Sequence, residues 1–293
     1  MRLKQALSHA REILTANDID DPSLESELLI RHTLNINRVQ LYLTLYDELK
    51  DEEEDIFRQM LIRRLSGEPT AYITGHREFY GYNFYVNHNV LIPRPESELL
   101  VEKTIEIAKN YTAPIITEIG SGSGAIAISL ALNIPNALIY ASDISASALK
   151  VARTNCQKHE VSDNIRLIKG DMLSELPISS DIIIANLPYV KESEIDPDNY
   201  EPQLALDGGK DGLDKIRQLC QQLKNRLHPD GSLLLEIGKG QKEAVCDILH
   251  HLYPKGEIEI TRDLADIDRV VRLTHTSGRQ ENNRMRQQKA ILV

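Results

Sequence analysis

The chain is 293 residues long, with 34 basic against 44 acidic side chains, a net charge of −10, 41% hydrophobic residues and no Trp. At ~100–200 residues per domain, that length accommodates two domains, each with its own core. The negative charge repels phosphate backbones and membrane surfaces, which argues against a stable nucleic-acid partner and against a membrane partner.

Cys156, Cys220 and Cys246 are isolated, and the nine histidines show no metal-ligand spacing, so no metal is expected. Sparse, unpaired cysteines suit a reducing compartment. Met1 to Leu14 carries Glu12 and helical periodicity and lacks the features of an export signal. The expectation is a cytoplasmic monomer.

Residues 1–75 read as a helical bundle. Leu3, Leu7, Ala10 and Leu14, then Leu24, Leu28, Leu29 and His32, recur at the three- and four-residue steps of one helix face. Asp21-Pro22-Ser23 is a helix start, with Pro22 preset for the first turn and Asp21 or Ser23 able to cap. The acidic run Asp51 to Asp55 opens another helix, where its charge meets the positive end of the dipole. The bundle is expected to end near Gly67-Glu68-Pro69.

Over residues 76–95, Phe79, Tyr80, Tyr82, Phe84 and Tyr85 crowd around Gly81, which predicts a β-hairpin linking two domains. From Glu96 to about residue 275, short apolar runs alternate with helical stretches. The runs are Ile115–Ile119, Leu138–Ser142, Ile165–Ile168, Asp181–Ala185 and Ser232–Glu236. This pattern predicts an α/β fold, an open and mostly parallel sheet covered on both faces. Glu257 to Thr261 and Arg269 to Thr274 complete it as an antiparallel pair, making seven strands. Residues 119–142 are uncharged and long enough to span a bilayer, but their three glycines and Pro135 mark them as strand, loop and buried helix. Residues 276–293 read as a disordered basic tail.

Four strand ends carry chemistry. Glu118-Ile-Gly120-Ser121-Gly122-Ser123-Gly124 follows the first strand and opens a helix, where glycines allow a sharp turn and helix N–H groups face a ligand. Its G-x-G-x-G spacing differs from that of a dinucleotide loop. Asp143, at the end of the second strand, suits ribose hydroxyls, and Asp171 with Met172, after the third, suits an adenine amino group and ring. Asn186-Leu187-Pro188-Tyr189 directly follows the fourth strand. An amide or adenine nitrogen is a poor nucleophile because its lone pair is delocalised. The Asn186 side-chain oxygen and the Leu187 carbonyl are two acceptors able to hold its N–H groups, Pro188 fixes the Leu187 backbone, and Tyr189 can pack on a planar group.

Together these segments resemble class I S-adenosylmethionine-dependent methyltransferases with a Rossmann-like sheet. Further motifs narrow the resemblance: Tyr72-Ile-Thr-Gly75, Leu91-Ile-Pro-Arg94-Pro-Glu96 with Glu98, Glu201-Pro202, Asp207-Gly208-Gly209 with Asp211-Gly212-Leu213, Leu235-Glu236-Ile237-Gly238 and Asp263-Leu264-Ala265. In this order, over residues 70–275, they resemble the peptide chain release factor glutamine methyltransferases, the HemK/PrmC family. The resemblance implies S-adenosyl-L-methionine as cofactor and class 1 peptide chain release factors as partners. It implies a reaction at the side-chain amide (N5) of the glutamine in their Gly-Gly-Gln motif, with Arg94 over the pocket and Glu118 orienting the loop or the cofactor's amino group. Three positions depart from the family: Leu187 stands where it has Pro, Glu118 where it has Asp, and Asp266 where Gly is common. The tetrapeptide alone is also similar to that of rRNA adenine methyltransferases, and Leu187 raises the alternative of a binding module without catalysis. Acidity and motif layout favour the release-factor reading over an RNA enzyme.

Overall fold

The structure is a computed structural model that describes residues 1–275; the basic segment 276–293 lies outside the described residues. The chain forms two compact units, Met1–His76 with Val86–His88, and Arg77–Tyr85 with Asn89 onward. The aromatic hairpin thus belongs to the second unit. No helix among the described residues is long and apolar enough to cross a membrane.

The first unit holds α1 (Leu3–Ala16), α2 (Pro22–Leu34), α3 (Arg38–Leu43), α4 (Asp51–Leu65) and the short α5 (Thr70–Thr74), one turn beyond the expected end of the bundle. In α1 the periodic positions Leu3, Leu7, Ala10 and Leu14 are all buried. Asp21 is the residue that caps α2, accepting from the Leu24 N–H at 3.2 Å. The predicted face of α2 needs correction. Leu24 is 45% exposed, and the helix instead buries Ser26, Glu27, Leu29 and Ile30. The cause is a buried carboxylate: Glu27 accepts from Arg38 Nε at 3.1 Å and from the Tyr42 hydroxyl, which turns a polar position inward.

The second unit takes in the hairpin of β1 (His76–Phe79) and β2 (Tyr82–Tyr85), from Arg77 onward. Tyr80 and Gly81 both have positive φ, 52° and 75°, the twist that a two-residue hairpin turn requires. Then follow α6 (Glu98–Ala108), β3 (Ile115–Ile119), α7 (Ala125–Asn133), β4 (Leu138–Asp143), α8 (Ala146–Lys158), β5 (Ile165–Lys169), β6 (Ser180–Ala185), α9 (Asp214–Gln222), β7 (Leu227–Glu236), α10 (Lys242–Leu252), β8 (Glu257–Arg262) and β9 (Asp268–Thr274). The stretch 119–142 is the end of β3, a loop, α7 and β4.

Seven strands form one sheet in the order β5-β4-β3-β6-β7-β9-β8. β5, β4, β3, β6 and β7 are parallel, and β9 runs antiparallel to both of its neighbours. Side chains alternate across it. Ile116, Ile182 and Ile184 pack with α6 and α7, while Ile119, Ile183 and Ala185 pack with α9 and α10. The crossover from β3 to β4 and that from β6 to β7 run in opposite directions along the sheet, and since parallel crossovers are right-handed they place helices on opposite faces, which accounts for the two cores. This is the fold predicted from the alternating pattern.

Phe79 and Phe84 meet edge to face, 6.2 Å apart, in the first of these cores. Asn155 of α8 fastens the hairpin to the sheet. Its Oδ1 accepts from Tyr85 N–H at 2.8 Å, and its Nδ2 donates to the carbonyls of Tyr85 at 2.9 Å and Ser123 at 2.8 Å. Asn155 is fully buried, so no water replaces these bonds. Asn155→Ala is expected to destabilise the protein by roughly 2–4 kcal/mol, the cost of orphaning buried polar groups, read as a lower urea midpoint with an unchanged slope.

Candidate functional site

The site lies where the parallel strands end. After β3 the chain turns through the glycine loop, and the Gly120 and Ser121 N–H groups both donate to the Ser142 carbonyl of β4, at 2.9 and 3.0 Å. Gly124 has φ 80°, and a Cβ there would lie 3.2 Å from Ala152 Cβ and Ile128 Cδ1, so α7 can begin this close to α8 only from a glycine. Asp143 closes the arrangement. Its Oδ2 accepts from Gly122 N–H and its Oδ1 from Ser145 N–H, both at 2.8 Å. Each oxygen keeps capacity to accept once more, toward the cleft. Burial raises its pKa, and the two backbone donors oppose that rise.

Glu118 shares the sheet face of Ile116, which points it under the start of α7, where it accepts from Ala127 N–H at 3.1 Å. Burial, reinforced by the Asp143 charge, pushes its carboxyl up to about 8. Burial thus favours the protonated form of Glu118. Nearby, the Ser121 hydroxyl is buried and makes no hydrogen bond among the described residues.

Two cavities open along this edge. The larger has a volume of about 140 Å³, against about 60 Å³ for the smaller. It is lined by Gly120, Gly122, Asp143, Asp171, Met172, Asn186, Leu187 and Pro188, with Ile119, Ile144 and Leu91 as apolar walls. The smaller is lined by Arg94, Glu118, Gly120, Ser121, Gly122, Ser123 and Asn186. Gly120, Gly122 and Asn186 border both, so the two are lobes of one cleft.

Asn186-Leu187-Pro188-Tyr189 leaves the end of β6 and is held from behind. Gln241 Nε2 donates to the Tyr189 carbonyl at 3.1 Å and to the Gly212 carbonyl at 3.2 Å. Gly208 N–H donates to the Val190 carbonyl at 2.8 Å. A Cβ on Gly212 would fall 2.3 Å from the Tyr189 oxygen, so position 212 fits only as glycine. Leu187 buries its side chain in the same apolar core as Ile119, Met172 and Ile183, so the residue that departs from the family fills apolar space while its carbonyl stays main-chain. Asn186 Nδ2 donates to Ser97 Oγ at 2.9 Å, and Ser97 Oγ donates to Glu236 Oε2 at 2.6 Å. Among the described residues neither Asn186 Oδ1 nor the Leu187 carbonyl accepts a hydrogen bond.

Gly124 and Tyr189 line neither lobe. The Tyr189 hydroxyl donates to Glu236 Oε1 at 3.3 Å, and burial, with the Glu236 charge, pushes it up to about 12. Arg94 lines the smaller lobe and pairs with Glu201, which also accepts from Ile92 N–H at 2.9 Å. Asp171 is exposed, with Oδ2 engaged by Gln218 at 2.8 Å, yet it borders the larger lobe. Asp266, where the family has glycine, adopts φ 60°, the left-handed conformation that glycine serves. Sequence reasoning missed Ser97, Glu236 and Gln241 as parts of the site. A glutamate closing the apolar run Leu233-Leu234-Leu235 was the available signal, because a carboxylate at the end of a buried strand needs partners.

The chain matches the model of the PrmC N-terminal domain over residues 5–75 and of the methyltransferase small domain over residues 95–204. It is 39% identical to a release factor glutamine methyltransferase of Moorella thermoacetica over 274 residues, 92% of this chain and 97% of that one. It is 36% identical to a bifunctional methyltransferase of Rickettsia typhi, covering 93% of this chain and 57% of that protein, so it spans little more than half of that relative. Among solved structures, a methyltransferase from Pyrococcus furiosus superposes with a TM-score of 0.51 at 17% identity, covering 68% of this chain and 91% of that one. That likeness speaks for the fold.

Because Glu118 titrates at about 8 in the folded chain against an ordinary 4.5, the folded state holds a proton the unfolded state has lost between those values. Stability of the ligand-free protein therefore falls as pH rises through that window. Glu118→Gln is expected to flatten this fall and to stabilise the protein at pH 7 by on the order of 1–3 kcal/mol, measured by thermal melts across pH 4.5–8.5.

Proposed function

Because the chain belongs to the release factor glutamine methyltransferase family, we propose that it methylates the side-chain amide nitrogen of the glutamine in the Gly-Gly-Gln motif of class 1 release factors, using S-adenosyl-L-methionine. The observation that carries this reading is the pair of acceptors at the cleft, Asn186 Oδ1 and the Leu187 carbonyl, that no described residue satisfies. Two acceptors beside each other suit the two N–H groups of a primary amide, and holding both fixes the plane of the nitrogen.

The lobes fit the cofactor. Asp143 has spare acceptor capacity for ribose hydroxyls, Met172 and the apolar walls suit an adenine ring, and Asp171 borders the same lobe for its amino group. In the smaller lobe the unpartnered Ser121 hydroxyl and the buried Glu118 carboxyl suit the charged amino-acid end, which would draw the proton off Glu118. When bound, the cofactor supplies an electrophilic methyl group on a sulfonium. Asn186, at the border of both lobes, and the Leu187 carbonyl hold the acceptor nitrogen toward it. No strong base is needed, because methylation acidifies the nitrogen, which then releases a proton to water. The helical unit is the proposed docking domain for the release factor.

Incubation of the protein with labelled S-adenosylmethionine and a purified release factor, followed by mass spectrometry of the Gly-Gly-Gln peptide, is expected to show one added methyl group on the glutamine. Label in rRNA instead would overturn the reading, and cofactor binding without transfer to either would favour a binding module. Asn186→Ala is expected to lower turnover by roughly a hundredfold or more, with cofactor affinity, measured by calorimetry, much less affected.

A further inference from the structure

A carboxamide is nearly symmetric in shape, and a half-turn of its outermost bond exchanges oxygen for nitrogen. For Asn186 that exchange is decisive. With oxygen toward the cleft it accepts from a substrate N–H; with nitrogen there it opposes two donors to that group and repels it. We propose that Ser97 and Glu236 are positioning residues that hold the Asn186 carboxamide with its oxygen toward the acceptor amide. The inference rests on the reading that Asn186 holds that amide.

The argument is a count of protons. Ser97 Oγ lies 2.6 Å from Glu236 Oε2 and 2.9 Å from Asn186 Nδ2. The hydroxyl has one hydrogen and an ionised carboxylate has none, so the hydrogen lies between Ser97 and Glu236. Ser97 then presents only lone pairs to Asn186, and those accept an N–H but oppose an oxygen. Ser97 is 3% and Glu236 1% exposed, so bulk water does not relax the constraint. The other carboxylate oxygen is taken by the Tyr189 hydroxyl, which gives that tyrosine a role although it lines neither lobe.

Protonation of Glu236 would undo the arrangement. A carboxylic acid donates to Ser97, whose hydrogen is then free to turn to Asn186 and bind it in the reversed orientation. Around Glu236, burial favours the protonated form most strongly and the Glu96 charge adds to it, whereas Ser97, Tyr189 and the Arg269 charge favour the ionised form. The balance raises its pKa. Turnover is therefore expected to fall on the acid side as Glu236 takes up its proton, at a pH above the ordinary glutamate range.

The test measures turnover, KM for the release factor and cofactor affinity across pH for the wild type, Ser97→Ala, Ser97→Thr and Glu236→Gln. In parallel, NMR follows hydrogen exchange of the Asn186 side-chain amide in the free, folded proteins. Ser97→Ala is expected to lose roughly tenfold or more in kcat and to lose protection of the Asn186 amide. Ser97→Thr, which keeps the hydroxyl, should restore both. Glu236→Gln carries its own N–H groups and should lose both turnover and the acid limb of the pH profile. Wild-type kcat and protection in a folded Ser97→Ala, or an unchanged acid limb in Glu236→Gln, would overturn the inference. A wild type that transfers no methyl group to the release factor would sink the functional reading. The exchange measurement would still decide the orientation of Asn186.

Discussion

The pairing of β3 with β6 at the centre of the sheet is the constraint on which the site depends. From β3 the chain works outward through β4 and β5, then returns to lay β6 on the other side of β3 and continues to β7. The connections after β3 and after β6 leave from neighbouring strand ends and part company. Between them a crevice opens that no choice of loop sequence has to carve. The glycine loop occupies one side and Asn186 to Tyr189 the other, brought together although 62 residues separate Gly124 from Asn186.

The polar groups around that crevice are arranged at a cost in stability. Glu118 and Glu236 are both essentially buried, and burial is the leading cause raising the pKa of each. Their surroundings differ in one respect. Glu236 is surrounded by donors, Ser97 and Tyr189, with Arg269 close enough to favour its charge. Glu118 has a single backbone donor and a neighbouring carboxylate. A satisfied carboxylate is suited to ordering its neighbours, and an unsatisfied one to receiving a cationic ligand. Gln241, Gly208 and Gly212 complete the scaffold by backing the main chain of Asn186 to Tyr189.

Much of this was legible from residue order because it rests on local periodicity. The apolar runs of the sheet, the cap at Asp21 and the acidic start of α4 each depend on neighbours within a few positions, and each lies where the pattern placed it. The face of α2 did not follow the pattern, because Glu27 is drawn inward by Arg38 and Tyr42, partners a periodicity count cannot see. Tyr189 likewise has a partner that residue order does not show, because its hydroxyl donates to Glu236 on the next strand.

What the sequence alone determined is the order of elements and the placing of the glycine loop, Asp143 and Asn186 to Tyr189 at successive strand ends, since these follow from spacing and turn residues. Tertiary structure decided which atoms of those segments face the cleft. Whether Asn186 offers oxygen or nitrogen depends on Ser97, 89 positions earlier, and on Glu236, 50 positions later. A hydrogen bond has a direction only when donor and acceptor are both known. Here that knowledge requires the fold to bring Ser97 within 3 Å of both Asn186 and Glu236, with Ser97 and Glu236 buried.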